Sequence, residues 1–340
     1  MLQIYNEALK LSQRLALLQQ LGWHLLKNDL ELQSAKENAN RQNSWFEPPF
    51  TDLAINNIAT EFLDAEKLEN WISAYDIPKI QVTPKTVGLT MAGNIPLVGF
   101  HDWLTIFISG HKQRIKPSSK DEILISHIIQ TLIKWEPAVA NFMKIDYTLK
   151  GCDAYIATGS NNSSRYFEYY FAKYPHIIRK NRTSLAVLSG KETPEMLEAL
   201  ADDILLFFGL GCRSVSKLMV PENYNFEMLL KTLKKYEWMK DHHKFRNNFD
   251  YNLSLHLLNN QFYMTNDVVL LIEKESLFSP ISQINYTFYN PLKAVNVALP
   301  SEDSLQCMCG EGGVPFGQAQ RPSLSDYADG VDTLQFACSL

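Results

Sequence analysis

Glycine is scarce in this chain, with 15 residues in 340, well below the roughly 7% average of proteins. Few positions can therefore take left-handed backbone freely or let a ligand approach closely, and Gly93, Gly159 and Gly190 lie at predicted strand-to-helix turns. The common dinucleotide fingerprint G-x-G-x-x-G is also missing. Gly209-Leu-Gly211 comes nearest, but Cys-Arg-Ser follows it and it sits at a predicted helix end. Positive charge is not in excess: 32 Lys+Arg against 37 Asp+Glu leave a formal charge of -5. That balance argues against a general binder of nucleic acid or acidic membranes, and small molecules are the expected partners.

No basic segment runs into an apolar stretch at the start, because MLQIYNEALKLSQRLALLQQ alternates polar and apolar residues. An intracellular, cytoplasmic location is expected on that ground. The most apolar stretch, IPLVGFHDWLTIFISG, is broken by His101 and Asp102. It is too short to cross a bilayer and is expected to be a buried helix, so no integral membrane segment is anticipated. Five cysteines, Cys152, Cys212, Cys307, Cys309 and Cys338, form an odd and scattered set, which implies reduced thiols rather than a disulfide framework. There is no internal repeat and no low-complexity tract.

What remains is an ordinary folding composition, 46% hydrophobic and 20% charged. At 340 residues the chain exceeds the length at which a single core usually stops growing, so two domains are expected. A period near 3.6 from Ile4 to Leu26, and a second amphipathic run from Thr51 to Trp71, predict helices, with ENANRQNSWFEPPF between them as a loop. From Lys79 onward short β-rich runs alternate with helices, the pattern of βα units around a largely parallel sheet. Strands are predicted at Thr86 to Met91, Gln113 to Lys116, Ala154 to Ala157, Leu185 to Leu188 and Lys217 to Val220. Between them, helices are predicted at Leu97 to Ser109, up to Trp135, Arg165 to Tyr174 and Pro194 to Phe208, with a further one at Phe226 to Tyr236. The glycine-containing tail after Cys307 reads as a loop and a return strand.

The chemistry centres on Cys212, in FFGLGCRSVSKLMV. A cysteine nucleophile needs a lowered thiol pKa, access to substrate and donors for the oxyanion that forms on attack at a carbonyl. A turn between helix and strand can supply access and backbone N–H groups; the alternative for an isolated cysteine is a small buried hydrophobe. Around it stands an ordered set: Gly93-Asn94-Ile95-Pro96, then Lys116-Pro117-Ser118-Ser119, then Thr158-Gly159-Ser160, then Leu188-Ser-Gly190-Lys191, then Cys212.

This order resembles the aldehyde dehydrogenase superfamily, which carries N-x-P, a K-P pair, T-G-S, E-L-G-G-K and then its nucleophilic cysteine. Within it, GNIPLVGFHDWL and the ending LSDYADGVDTLQF look most like the acyl-CoA reductases related to the fatty-acid reductase of bacterial luminescence. The resemblance covers about residues 80 to 340. It implies an α/β, aldehyde dehydrogenase-like fold: N-terminal helices with a Rossmann-type NAD(P) domain over 1–190, an α/β catalytic domain over 191–315, and a C-terminal return strand over 316–340. Homodimers are common in the family.

Carried over by position, the resemblance makes Cys212 the acylated nucleophile and Asn94 the side-chain donor to the oxyanion. Lys116 would bind the adenosine ribose, within a cofactor loop that includes Ser118 and Ser119. Thr158, Gly159 and Ser160 would lie beside the cofactor. The implied reaction is NADPH-dependent reduction of an acyl-CoA or acyl-protein thioester to the aldehyde, with NADH as a further option.

Departures from the family pattern sharpen this reading. Val187 falls where the hydrolysing enzymes carry a water-activating glutamate, so the acyl-cysteine is expected to survive long enough to accept hydride. Ser119 replaces the glutamate of K-P-x-E, which removes a repulsion toward a 2'-phosphate and favours NADPH, with Lys116 and Lys120 nearby. Glu275, one residue out of register with the family's ribose-binding glutamate, is assigned the nicotinamide ribose. Two other readings stay open: a CoA-acylating aldehyde dehydrogenase using NAD, and a non-catalytic binder of acyl-CoA.

Among the remaining clusters, Cys307-Met-Cys309 with Cys338 could offer three thiolates to zinc, but it lacks a second paired motif and a nearby histidine; no metal is expected. His242-His243 is expected on a solvated helix face. The aromatic run Tyr166, Phe167, Tyr169, Tyr170, Phe171 and Tyr174 is expected to pack into the core.

Overall fold

The computed structural model describes residues 9–159, 161–289 and 304–340. The chain divides into two compact units, Met1–Asn181 with Pro322–Leu340, and Arg182–Arg321.

Among the described residues the first unit begins with four helices, α1 (Leu11–Lys27), α2 (Leu30–Gln42), α3 (Pro48–Asn57) and α4 (Ala65–Ile72), with a π-helical turn at Ile58–Phe62. Side-chain caps explain several of these starts: Asp29 accepts from Leu32 N–H (3.0 Å) and Asp64 from Lys67 N–H (3.0 Å), each satisfying an otherwise orphaned donor. The segment read as a loop from residue 37 is helical as far as Gln42. Its polar, Asn-rich sequence has low helix propensity, and packing of Leu32, Ala35 and Ala39, all buried, overrides it. Of the expected Ile4 to Leu26 helix, residues 4–8 lie outside the described residues.

Five parallel strands follow: β1 (Thr86–Thr90), β2 (Lys112–Lys116), β3 (Met143–Ile145), β4 (Ala154–Thr158) and β5 (His176–Arg179), in the order β3-β2-β1-β4-β5. Between them run α5 (Phe100–Ser109), α6 (Glu122–Trp135) and α7 (Asn161–Phe171). The apolar α5 has no exposed residue, as a helix hydrophobic on every side requires. Trp103, Leu104, Ile106 and Phe107 join Leu18 and Leu21 of α1 and Ile125 and Leu132 of α6 in one core.

The tail belongs to the same unit. Where a return strand was expected it forms a helix, α11 (Thr333–Cys338). Asp332 caps it by accepting from Gln335 N–H (2.8 Å), and Leu334 and Ala337 are buried. Arg179 at the end of β5 anchors the approach, donating to Asp102 (2.6 Å), to Ala328 O (2.6 Å) and to Thr333 Oγ1 (2.8 Å).

The second unit holds a six-stranded sheet in the order β11-β6-β7-β10-β9-β8. Its strands are β6 (Thr183–Val187), β7 (Val215–Pro221), β8 (Met264–Thr265), β9 (Leu270–Glu273), β10 (Gln283–Tyr289) and β11 (Leu305–Gly310). Each described pairing is parallel except β8 with β9. Helices α8 (Pro194–Leu205), α9 (Glu227–Leu233) and α10 (His243–Leu258) connect or flank them. The division falls at Asn181/Arg182, with β6 paired to β7 and β11 of the second unit. His242 is not on a solvated face: half-buried, it caps α10 by accepting from Phe245 N–H (3.2 Å) and packs 4.5 Å from the Phe208 ring.

Candidate functional site

In the first unit the strand order reverses direction between β1 and β4, and a crevice at the carboxyl ends of strands flanking such a switch is the expected ligand site of an open parallel sheet. Thr90 of β1 is level with Lys116 of β2 and with Ala157 of β4. The loop carrying Asn94, the loop carrying Ser118 and Ser119, and the Thr158-Gly159 corner therefore all leave the sheet from one edge. Lys116 and Ser119 are exposed, and Asn94, Ser118, Thr158 and Gly159 are half-buried. Ser160 lies outside the described residues.

Close packing fixes the first two loops against each other. A Cβ added at Gly93 would stand 2.7 Å from both Cβ and Oγ of Ser118 and 3.1 Å from Cβ of Asp121, so only glycine lets the Asn94 loop lie there. Three residues beyond Asn94, Leu97 takes φ 55°, a left-handed conformation that costs a non-glycine residue roughly 1–2 kcal/mol. Its N–H is held by Asp121 Oδ2 at 2.6 Å. Asp121 in turn donates its own N–H to Ser118 O (2.9 Å), while Lys120 N–H donates to Ser118 Oγ (3.2 Å). Asp121 is buried, and its Oδ1 has no hydrogen-bond partner among the described residues. Burial pushes this carboxyl well above the ordinary range against the opposing pull of Leu97 N–H.

Gly159 has a different neighbour from the one its motif suggests. A Cβ there would meet Phe167 and Ser163 of α7 at 2.9 Å, so its glycine serves strand-to-helix packing, one of the uses of glycine at such corners. Of the aromatic run, Phe171 stacks on Tyr155 at 3.9 Å. Tyr166, Tyr169 and Tyr170 do not enter the core; they are 67%, 81% and 66% exposed, because the helix has one inward face only.

In the second unit Cys212 is half-buried on the turn leading into β7. The turn is reached through three consecutive left-handed residues, Phe207 (φ 56°), Phe208 (φ 57°) and Gly209 (φ 70°). Two phenylalanines in this region hold stored strain, which persists only where surroundings over-determine it. Here both are buried, and Phe208 packs among Trp238, His242 and Phe245. Beyond the strained turn the chain is pinned again: Ser184 Oγ donates to Cys212 O (3.1 Å), and Arg213 Nε donates to Ala319 O (2.5 Å). Asp203 of α8 accepts from Gly317 N–H (2.7 Å) and Ala319 N–H (3.0 Å), and burial pushes its carboxyl up to about 6 against those two donors.

Glu275 is exposed on the segment after β9. That segment is tied to the start of β7: Ser216 Oγ donates to Leu277 O (2.7 Å), and the Lys217 ammonium donates to Lys274 O. Lys217 is buried, which lowers its pKa against the attraction of Glu275 and Glu273.

Val187 ends β6. Ser184 is the residue of β6 that reaches the Cys212 carbonyl, whereas Val187 pairs with Met219 further along the strand. Three residues at about 3.3 Å each set Ser184 and Val187 roughly 10 Å apart along β6. Among the described residues no group of three or more His, Cys, Asp or Glu side chains is placed to hold a metal ion. Asp121, Asp203 and Ser184 went unnoticed in the sequence. Asp121, in a run of polar residues between a strand and a helix, and Asp203, in an otherwise helical Asp-Asp pair, carry no local mark of burial.

No family model and no curated protein matches the sequence. Solved structures do match the fold. An oxidoreductase from Marinobacter aquaeolei is 12% identical with a TM-score of 0.62, covering 88% of this chain and 73% of that one. An NAD-dependent benzaldehyde dehydrogenase from Corynebacterium glutamicum gives the same identity, 12%, and TM-score, 0.62, over 88% of this chain and 75% of its own. An indole-3-acetaldehyde dehydrogenase of P. syringae in complex with NAD+ and IAA is 11% identical, with a TM-score of 0.60 over 84% and 69%. The chain thus has an aldehyde dehydrogenase-like α/β fold. No helix of the described residues is long and apolar enough to cross a membrane.

Proposed function

We propose that the protein reduces an acyl-CoA or acyl-protein thioester to the aldehyde through an acyl group carried on Cys212, with NADPH as reductant. The observation that carries this reading is the combination of an aldehyde dehydrogenase-like fold with a half-buried cysteine on the strained turn into β7. A fold alone does not assign a reaction; the cysteine and the loops of the β1/β4 edge supply the chemistry.

The loop edge suits a dinucleotide. It brings together exposed Lys116 and Ser119, half-buried Ser118 and Thr158, and the closely packed Gly93 and Gly159. Lys116 and Lys120 with Ser119 would receive the adenosine ribose and a 2'-phosphate, since no carboxylate stands at Ser119 to repel it. Glu275 is the assigned partner of the nicotinamide ribose. NADPH, when bound, is the hydride donor for the thioester carbon.

The Cys212 thiolate attacks the carbonyl carbon of the incoming thioester, and the negative charge passes to the carbonyl oxygen. The Asn94 amide and the Cys212 N–H are its assigned donors. Expulsion of the CoA thiolate leaves the acyl group on Cys212, and after reduction the C–S bond breaks, returning the thiolate and freeing the aldehyde. The Ser184 bond to Cys212 O orients the peptide that bears the nucleophile. The choice of reduction over hydrolysis is supported by Val187, which offers no carboxylate to activate a deacylating water, and by the likeness to acyl-CoA reductases.

The test is to supply acyl-CoA esters of graded chain length with NADPH or NADH and to follow cofactor consumption and product together. Aldehyde formed faster with NADPH supports the reading. Carboxylic acid as product, or net reaction only in the direction of NAD reduction, overturns it.

A further inference from the structure

Cys307 and Cys309, one residue apart on β11, are not used by this reaction. Among the described strands β11 lies at the edge of its sheet, and its register shifts between Leu305 and Met308, where three steps on β11 face two on β6. Such a bulge twists the strand and re-aims its side chains. Here the side chains of Cys307 and Cys309 lie close enough to interact. Ser184 sits on the other side of Cys307, with its Oγ 3.1 Å from Cys307 Sγ, and it accepts from Cys307 N–H at 3.2 Å. Cys307 is half-buried and Cys309 is fully buried.

We propose that Cys307 and Cys309 form a peroxide-sensitive dithiol, a modification site that closes to an intrachain disulfide one residue apart. The proposal does not depend on the reading of Cys212. Reactivity toward a hydroperoxide requires a thiolate with access, which an inert buried cysteine lacks. Cys307 is half-buried, and the Cys309 thiol, Arg213 and Ser184 hold its pKa below the ordinary thiol range against the effect of burial. The pKa of Cys309 is raised by its interaction with Cys307 and by burial, so Cys309 stays protonated.

The chemistry balances as follows. The Cys307 thiolate attacks one oxygen of hydrogen peroxide, the O–O bond breaks, and with proton uptake a sulfenic acid and one water form. Cys309 then attacks that sulfur, its proton leaves with the displaced hydroxide as a second water, and the S–S bond forms. Two thiols are oxidised, and one peroxide is reduced to two waters. Closure draws Cys307 Sγ away from Ser184 Oγ, the hydroxyl that holds the Cys212 carbonyl, so the state of the pair reaches the turn of Cys212.

The experiment is peroxide titration of the full-length chain, read by intact mass and by peptide mapping after thiol blocking. The expected result is a mass fall of about 2 Da, reversed by a phosphine reductant, with the link within the peptide that contains both Cys307 and Cys309. The same fall is expected in Cys212→Ser, and none in Cys309→Ser. Mapping the wild-type chain needs no variant to fold. A link from Cys307 to Cys212, oxidation confined to Cys212, or no linkage at a peroxide dose that oxidises free glutathione completely would overturn the proposal.

Discussion

Asp203 and Asp121 show how much of the local order rests on single carboxyls that no motif marks. Asp203 holds two backbone N–H groups of the 317–319 segment while buried, and its pKa is raised from 3.8 to about 6. A carboxyl raised in the folded state adds stability below its unfolded pKa and loses that contribution as pH rises through the folded value. The wild-type chain should therefore lose up to about 3 kcal/mol relative to Asp203→Asn between pH 4 and 7, at roughly 1.4 kcal/mol per pKa unit. Urea midpoints across that range check it; parallel pH profiles for the two chains would contradict it. For Asp121, truncation to Ala leaves Leu97 N–H without its acceptor in a buried loop, a change expected to cost about 1–3 kcal/mol, measured by the same unfolding. Cys212 could be singled out in the sequence because its chemistry is particular to its residue type. Burial of an aspartate depends on what folds over it, which local sequence does not state.

Helices and strands were legible where their pattern was strong and short-range. The βα order from Thr86 to Trp135 is found nearly as periodicity predicts, with β1 at Thr86–Thr90, β2 at Lys112–Lys116 and α6 ending at Trp135. Elsewhere long-range pairing decides. β6 has the same alternation whichever sheet receives it, and only its pairing with β7 and β11 assigns it. The tail sequence DTLQFAC was compatible with a strand until Asp332 capped it as a helix. Two elements invite tests. Phe208→Ala removes the ring that packs among Trp238, His242 and Phe245 and offsets the left-handed turn. It should destabilise the second unit by about 3–5 kcal/mol, as large buried aromatics do. Gly93→Ala forces a methyl group onto Ser118 and should cost about 1–3 kcal/mol as overpacking. Adding Ser118→Gly should restore part of that loss, and strictly additive effects in thermal unfolding would contradict the packing described for the two loops.

For the molecule as a whole, an aldehyde dehydrogenase-like fold was readable from five short motifs in order, although the solved structures described share only 11% to 12% of their residues with this chain. The order of motifs carried the information because each marks a junction that the fold places at a set point. Cofactor binding is a whole-chain property and gives a prediction at that scale. NADPH at a hundred times its dissociation constant should stabilise the folded chain by about 2.7 kcal/mol, and Lys116→Ala should remove most of that shift at the same concentration. An unchanged melting temperature with NADPH would contradict the role given to the β1/β4 edge. The claim at the centre is the acyl-cysteine, and intact-mass measurement after mixing the chain with acyl-CoA esters, without reductant, tests it most directly. The account predicts one acyl increment on the wild-type chain, absent in Cys212→Ser and discharged when NADPH is added. A wild-type chain that stays unmodified across chain lengths, or a Cys212→Ser chain acylated to the same extent, would contradict it.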